Sequence, residues 1–321
     1  MSTMIATAYK RLAKPEKPAA FRITPRDVAL MRALASHRFM TTRQLALLDG
    51  GSERGVRSRL RGLFALGYVK RPDQQGAFFG SLNPALVYNL TKKGLHYADN
   101  ASAIDDRLNW IPNNTRASSA FMEHTIDTAA VMIAFRLACS GPGAPTLVDH
   151  HALIPDMPAA TQARDNPFKI AVSFQYDGKP FTLSVVPDRL FRIDANKTRS
   201  NLALELDRGT MVVSQRRKKI TGRSSFLKKI VTYHQLWQQD RHTDVWGFKT
   251  FRVLTVTTSQ ARINSMLAVQ RQITDVAGLF LYTTPQRLAE MGVFGPAWQS
   301  SKADGISLLT AAPTQSIEER V

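Results

Sequence analysis

The chain has 321 residues, with 43 Lys plus Arg against 25 Asp plus Glu and a formal net charge of +18. With 44% hydrophobic residues it has the makings of a core, which excludes a disordered chain, and its length suggests two domains. One cysteine, Cys139, excludes an internal disulfide framework and a multi-cysteine zinc site. No window approaches the ~18 consecutive apolar residues of a membrane span, and Met1–Arg11 lacks the apolar core of a secretory signal. The expectation is a soluble, cytoplasmic protein with a polyanionic partner, most often nucleic acid.

The charge is uneven. Residues 1–100 hold 17 basic and 6 acidic residues, a net of +11. A second basic zone lies between Asp207 and Asp240, an interval without acids that carries Arg208, Arg216, Arg217, Lys218, Lys219, Arg223, Lys228 and Lys229. Two basic zones predict two places to hold a phosphate backbone.

Residues 1–20 are polar and basic and read as a disordered tail. Thr24-Pro25-Arg26-Asp27 then starts a helix: a hydroxyl cap, proline at the first helical position, and an acid in the first turn. Val28, Leu30, Met31 and Leu34 follow at helical spacing. Thr41-Thr42 caps a second, short helix, and Asp49 to Ser52 is turn chemistry. A third helix spans about Glu53 to Leu66, its apolar stripe Val56, Leu60, Leu63 and Phe64. Gly67–Arg71 and Leu86–Leu90 read as strands around a loop from Pro72 to Pro84. Three helices and a two-stranded wing make a winged helix-turn-helix over residues 21–98. Its third helix would enter the major groove of double-stranded DNA. Arg43, Arg54, Arg57, Arg59 and Arg61 are its candidate DNA contacts, with Arg216, Arg217, Lys218 and Lys219 of the second basic zone. The same module can instead serve protein contacts alone.

Residues 99–116 form a polar linker, and a long apolar helix runs from about Ser118 to Cys139. The pattern then turns extended. His151–Pro155 is a short strand candidate. Ile170–Tyr176 and Phe181–Val186 alternate around Asp177-Gly178, a strong hairpin signal. Leu190–Ile193 and Asn201–Leu206 are further strands, followed by a helix from Ser225 to about Gln239. Phe251–Thr257 reads as a central strand. Ser259 caps another helix, Gly278–Tyr282 is a last core strand, and Pro285–Met291 a short helix. Residues 295–321 read as an irregular tail.

Three carboxylates stand out. Asp188 follows Pro187 at a strand end, and Glu205 and Asp207 close the next long strand. Positions i and i+2 share a face, so Glu205 and Asp207 can point together, and Asp188 joins them if the strands pair. Such a set suits Mg²⁺ or Mn²⁺, which activates water or polarises a phosphate. Asp188 also suits a turn cap, and Asp207 before Arg208-Gly209 a strand-end turn. Glu205 sits in an apolar strand, where an acid needs a cation, either a metal or a paired side chain.

A hairpin ending in Pro-Asp, a strand with Glu-x-x, then a helix resembles the PD-(D/E)xK nuclease core. More narrowly, the stretches from Pro187 to Ile193, Leu202 to Thr210, Phe226 to Trp237 and Phe251 to Thr257 resemble the replication-relaxation family of plasmid and mobile-element proteins. That family is similar to MOBC-type conjugative relaxases. The resemblance spans roughly residues 21–290, and its most specific part is Glu205–Thr210 with Lys229 and Tyr233. It implies a winged helix joined to a restriction-endonuclease-like mixed-sheet domain over residues 117–294, an α+β or α/β chain overall. The implied role is in replication or mobilisation, by metal-dependent nicking at a plasmid or mobile-element origin, with a homodimer or relaxosome-type proteins as partners. The catalytic set would be Asp188, Glu205, Asp207 and Lys229. One position departs from the pattern: the nuclease motif has lysine where Asp207 stands, and the following helix offers Lys229, one turn before Tyr233, as the best substitute, with Lys228 the runner-up. That departure leaves a second reading open, a non-catalytic transcription or replication regulator whose second domain dimerises or recruits partners. Glu123 and His124 on the long helix are further candidates to assist a metal.

Overall fold

The computed structural model describes residues 20–73, 75, 85–99, 114, 116–176, 178–195, 198–213, 225–276 and 278–309. The tail at residues 1–19, most of the wing loop, most of the linker, the basic residues Arg216, Arg217, Lys218 and Lys219, and the C-terminal residues from 310 lie outside the described residues. The chain is a mixed α+β protein that divides into two units, residues 1–133 and 134–321. Among the described residues no helix is long and apolar enough to cross a membrane.

The first unit holds α1 (Pro25–His37), β1 (Met40–Thr41), α2 (Thr42–Asp49), α3 (Glu53–Ala65), β2 (Val69–Lys70), β3 (Val87–Leu90) and α4 (Lys92–Asp99). The helix α5 (Ser119–Ala138) starts in this unit. Each early helix begins on a side-chain cap. Asp27 accepts the N–H and the hydroxyl of Thr24, each at 2.8 Å. Thr41 and Gln44 bond reciprocally, and Ser52 Oγ accepts from Gly55 N–H at 3.1 Å. α2 stops at Gly50, whose φ of 71° is open to glycine and strained for other residues. The strands form an antiparallel sheet in the order β1-β3-β2. Leu30, Met31, Leu34, Leu45, Val56, Leu60, Leu63, Tyr88 and Leu90 make its core. Burying each aliphatic side chain contributes about 1.5–3 kcal/mol. All four residues of β3 are buried, because Phe39, Val87 and Met122 pack on the other face. Gln75 pairs with Val87 through both amide atoms, at 3.1 and 3.0 Å, as a neighbouring strand would.

The second unit contains β4 (Thr146–Val148), a 3₁₀ turn (His150–Asp156), α6 (Ala159–Gln162), β5 (Ile170–Tyr176), β6 (Lys179–Val185), β7 (Arg189–Ala195) and β8 (Thr198–Leu206). After these come α7 (Phe226–Gln238), α8 (Arg241–Trp246), β9 (Arg252–Val256), α9 (Gln260–Gln270), β10 (Phe280–Thr283) and α10 (Pro285–Met291). A five-stranded sheet runs β10-β9-β8-β7-β4. β8, β9 and β10 are parallel, while β7 and β4 are antiparallel to their neighbours, so the sheet is mixed. α7 is the crossover from β8 to β9, and α9 the crossover from β9 to β10. Every residue of β9 and β10 is buried, as a parallel strand covered on both faces requires. β5 and β6 form a separate hairpin, Tyr176 opposite Lys179, against which α7 packs.

Two stretches differ from expectation. His150–Asp156 is a 3₁₀ turn and not a strand. Asp149 caps it through His150 N–H at 2.8 Å, and the His150 ring stacks on Phe168 while its Nδ1 accepts from Leu190 N–H at 3.1 Å. The stretch after Gly295 has no long element but is built into the sheet's edge. Trp298 is fully buried, Gln299 bridges to Tyr282, and the Trp298 indole donates to Val293 O at 2.9 Å.

Candidate functional site

The site grows from the end where β7 begins and β8 finishes. Arg189 pairs with Leu204 in register, so Asp188, one residue before, stands across from Glu205. Asp188 Oδ2 accepts the Leu206 N–H at 2.7 Å, which ties the start of one strand to the end of the next. Glu205 is only 3% exposed. Its compensation comes from α7, whose first turn Ser225 caps through Lys228 N–H at 3.4 Å. Lys229 and Tyr233 are four apart and share a helix face. Lys229 Nζ donates to Glu205 Oε2 and Tyr233 OH donates to Oε1 at 2.5 Å, so one helical turn holds both carboxylate oxygens.

The electrostatics follow from burial. Desolvation pushes the Glu205 carboxyl up, against the pull of Lys229, and the Asp188 charge adds to the rise. Burial alone would lower the Lys229 ammonium, but the Glu205 and Asp188 charges outweigh it and hold the group above its ordinary range. Burial, then the Glu205 charge, pushes the Tyr233 phenol well up. Lys229 therefore stays cationic, and Tyr233 stays a protonated donor. A phenol that is fully buried and already donating is not placed as a nucleophile.

Asp207 has strong partners of its own. It lines the same small cleft as Glu205, Lys229 and Tyr233. Its carboxylate, however, is gripped by Arg262 of α9. Arg262 Nε donates to Oδ2 and Nη2 to Oδ1 at 2.8 Å, Thr257 adds a hydroxyl bond at 2.6 Å, and Nη2 also reaches Met211 O at 2.5 Å. Burial raises this carboxyl, but the bonds from Arg262 and Thr257 prevail and its pKa is lowered. Asp207 thus staples the end of β8 to α9. Same-face placement brings Asp207 to the cleft of Glu205, and there a bidentate guanidinium engages both of its carboxylate oxygens.

The fit of Mg²⁺ or Mn²⁺ narrows accordingly. Among the described residues no three His, Cys, Asp or Glu side chains are grouped to hold a metal ion. Asp188 and Glu205 remain as a pair of like charges at one sheet end. Each carboxylate oxygen accepts in two directions, so Lys229 and Tyr233 occupy half of the capacity of Glu205. Such a pair fits a hard cation that keeps several waters and takes one or two carboxylates plus substrate phosphate.

In the first unit, Arg43, Arg54, Arg57 and Arg61 are exposed, and Arg57 reaches back to Glu53 at 2.7 Å. Arg59 is placed differently from these four. It is half-buried, and its guanidinium forks onto fully buried Asp27. Burial raises the Asp27 carboxyl, yet the Arg59 and Thr24 bonds outweigh it and the pKa is lowered. Glu123 and His124 fall in the first unit. Sequence reading overlooked Tyr233 as a carboxylate partner, although its i+4 spacing from Lys229 announces it. It also overlooked Arg262, for which a separation of 55 residues from Asp207 leaves no local signal.

Comparison with curated proteins and with solved structures finds no match. A family model described as replication-relaxation matches residues 31–250. The matched span runs from within α1 past α8, and it includes Asp188, Glu205, Lys229 and Tyr233. Well over half the chain is covered, and the chain therefore belongs to the replication-relaxation family.

Proposed function

We propose that this protein binds double-stranded DNA in the replication or mobilisation of a plasmid or mobile element, and nicks it at the Asp188–Glu205–Lys229 cluster. In this reading the first unit is a winged helix-turn-helix. The order of three helices and three short antiparallel strands supports it, as does the exposed arginine stripe on α3. The second unit is a PD-(D/E)xK-like core. The observation that carries the catalytic part is Lys229 on the buried Glu205, beside Asp188: an acid, an acid and a lysine at the carboxyl end of a strand, the lysine supplied from the following helix.

Each residue then has a task. Lys229 keeps its proton and offers positive charge to a phosphate oxygen in the cleft. Tyr233 fixes the plane of the Glu205 carboxylate. Asp188 and Glu205 would hold a divalent metal, which supplies Lewis-acid polarisation of the scissile phosphate. Asp207 and Arg262 hold the strand end in place.

The test is incubation of supercoiled origin plasmid with protein and Mg²⁺ or Mn²⁺, comparing wild type with Glu205→Ala. Open-circular product made by wild type and lost in the variant supports nicking. The second reading, a non-catalytic replication or transcription regulator, is favoured by one observation: Asp207 stands where the motif has lysine, and it is locked by Arg262. Under that reading the plasmid is bound in a salt-sensitive way and stays supercoiled with every metal.

A further inference from the structure

We propose that Arg22 is a further DNA-phosphate contact, held beside α3 by a latch of Phe21, Arg59 and Gly62. The inference rests on the winged-helix reading. The latch itself is observed independently of that reading.

The chain before α1 is not left loose. Arg59 Nη2 donates to the Arg22 carbonyl at 2.7 Å, and the Arg59 guanidinium lies 4.1 Å from the Phe21 ring centroid. The same guanidinium binds Asp27, and Asp27 caps α1 through Thr24. Gly62 is the seat: a Cβ built there would run into the Phe21 ring. Phe21 and Ile23 pack against the core of the unit while Arg22 and Thr24 are exposed, the two-residue alternation of an extended segment. The backbone of Arg22 is therefore fixed and its side chain faces water.

Position on α3 decides what that side chain meets. Gly55, Arg59 and Gly62 recur at helical spacing and make the stripe that faces Arg26 and Phe21. Arg54, Arg57, Ser58 and Arg61 form the exposed stripe, which borders that one through Ser58. Arg22 thus flanks the face that the winged-helix reading puts into the major groove, on the side where the groove wall, a phosphate strand, runs. An arginine on a mobile arm brings the same charge but must be ordered on binding. Here folding has already ordered the backbone, which lowers the entropy lost at association. A phosphate contact carries no base preference, so its contribution is the same on any sequence.

The experiment uses the full chain and a short fluorescent duplex, with affinity measured across a NaCl series. Arg22→Ala is expected to weaken binding to cognate and unrelated duplexes alike and to reduce the slope of log K against log[salt] by about 1, one phosphate's worth of released counterions. Arg22→Lys keeps the slope. Gly62→Ala, which displaces Phe21, lowers the slope as Arg22→Ala does although Arg22 is still present. A wild-type slope in Arg22→Ala overturns the contact. A wild-type slope in Gly62→Ala, with Arg22→Ala reduced, overturns the latch. Absence of salt-dependent duplex binding by the wild type would instead overturn the winged-helix reading itself.

Discussion

Removing Lys229 tests the reasoning about Glu205 without any DNA. In Lys229→Ala the Glu205 carboxylate, 3% exposed in the wild type, keeps Tyr233 but loses its cation. Breaking a buried pair from one side costs about 3–5 kcal/mol. The Lys229 side chain is 26% exposed, so water takes over part of the task and the low end, about 3 kcal/mol, is expected. The double variant Glu205→Gln with Lys229→Met removes both charges at similar volume and should recover most of that loss, because no uncompensated ion remains. Urea unfolding followed by tryptophan fluorescence reads the effect, since Trp237, Trp246 and Trp298 are all buried in this unit. Lys229→Ala as stable as wild type, or a double variant no better than the single, would refute the assignment of a buried ion pair.

The Asp207–Arg262 staple should behave as one object: Asp207→Ala and Arg262→Ala each destabilise by roughly 2–4 kcal/mol, and the double variant costs no more than the worse single, which a double-mutant cycle measures. In the first unit the arginines should divide by function. Arg54→Ala, Arg57→Ala and Arg61→Ala should each lower duplex affinity and its salt slope while leaving stability within about 0.5 kcal/mol. Arg59→Ala should cost about 3 kcal/mol of stability by stranding Asp27, seen in faster amide hydrogen exchange of α1. Asp27 also sets an acid limb. Its folded pKa is below the ordinary 3.8, so its contribution is present above that value and is lost as pH falls through the folded one. Asp27→Asn should flatten that part of the stability curve.

What was legible in the sequence was local. Thr24-Pro25-Arg26-Asp27 states a helix start whose cap depends on neighbours three residues apart, and α1 begins there. Asp177-Gly178 between alternating runs states a hairpin, because a two-residue turn sets the register. That buried Glu205 needs a cation is legible from its apolar strand, and Lys229 is legible only as a stand-in for the motif lysine; that the two pair is set by the fold. The remainder depended on partners distant in sequence. Arg59 looked like its neighbours on α3, and only the fold brings it onto Asp27, 32 residues earlier. The i, i+2 spacing of Glu205 and Asp207 is local and both line one cleft, but Arg262, 55 residues on, engages the Asp207 carboxylate. His150–Asp156 was a short apolar run, a pattern in which periodicity does not separate a strand from a tight helical turn.

The most direct measurement of the central claim compares wild type with Glu205→Gln on supercoiled origin plasmid at matched DNA occupancy, with Mg²⁺ or Mn²⁺ present. The expected result is open-circular DNA from the wild type and none from the variant, while both bind the plasmid equally. Full binding by the wild type with no nicking in either metal, or nicking by the variant at the wild-type rate, would contradict the claim that Asp188, Glu205 and Lys229 act on DNA.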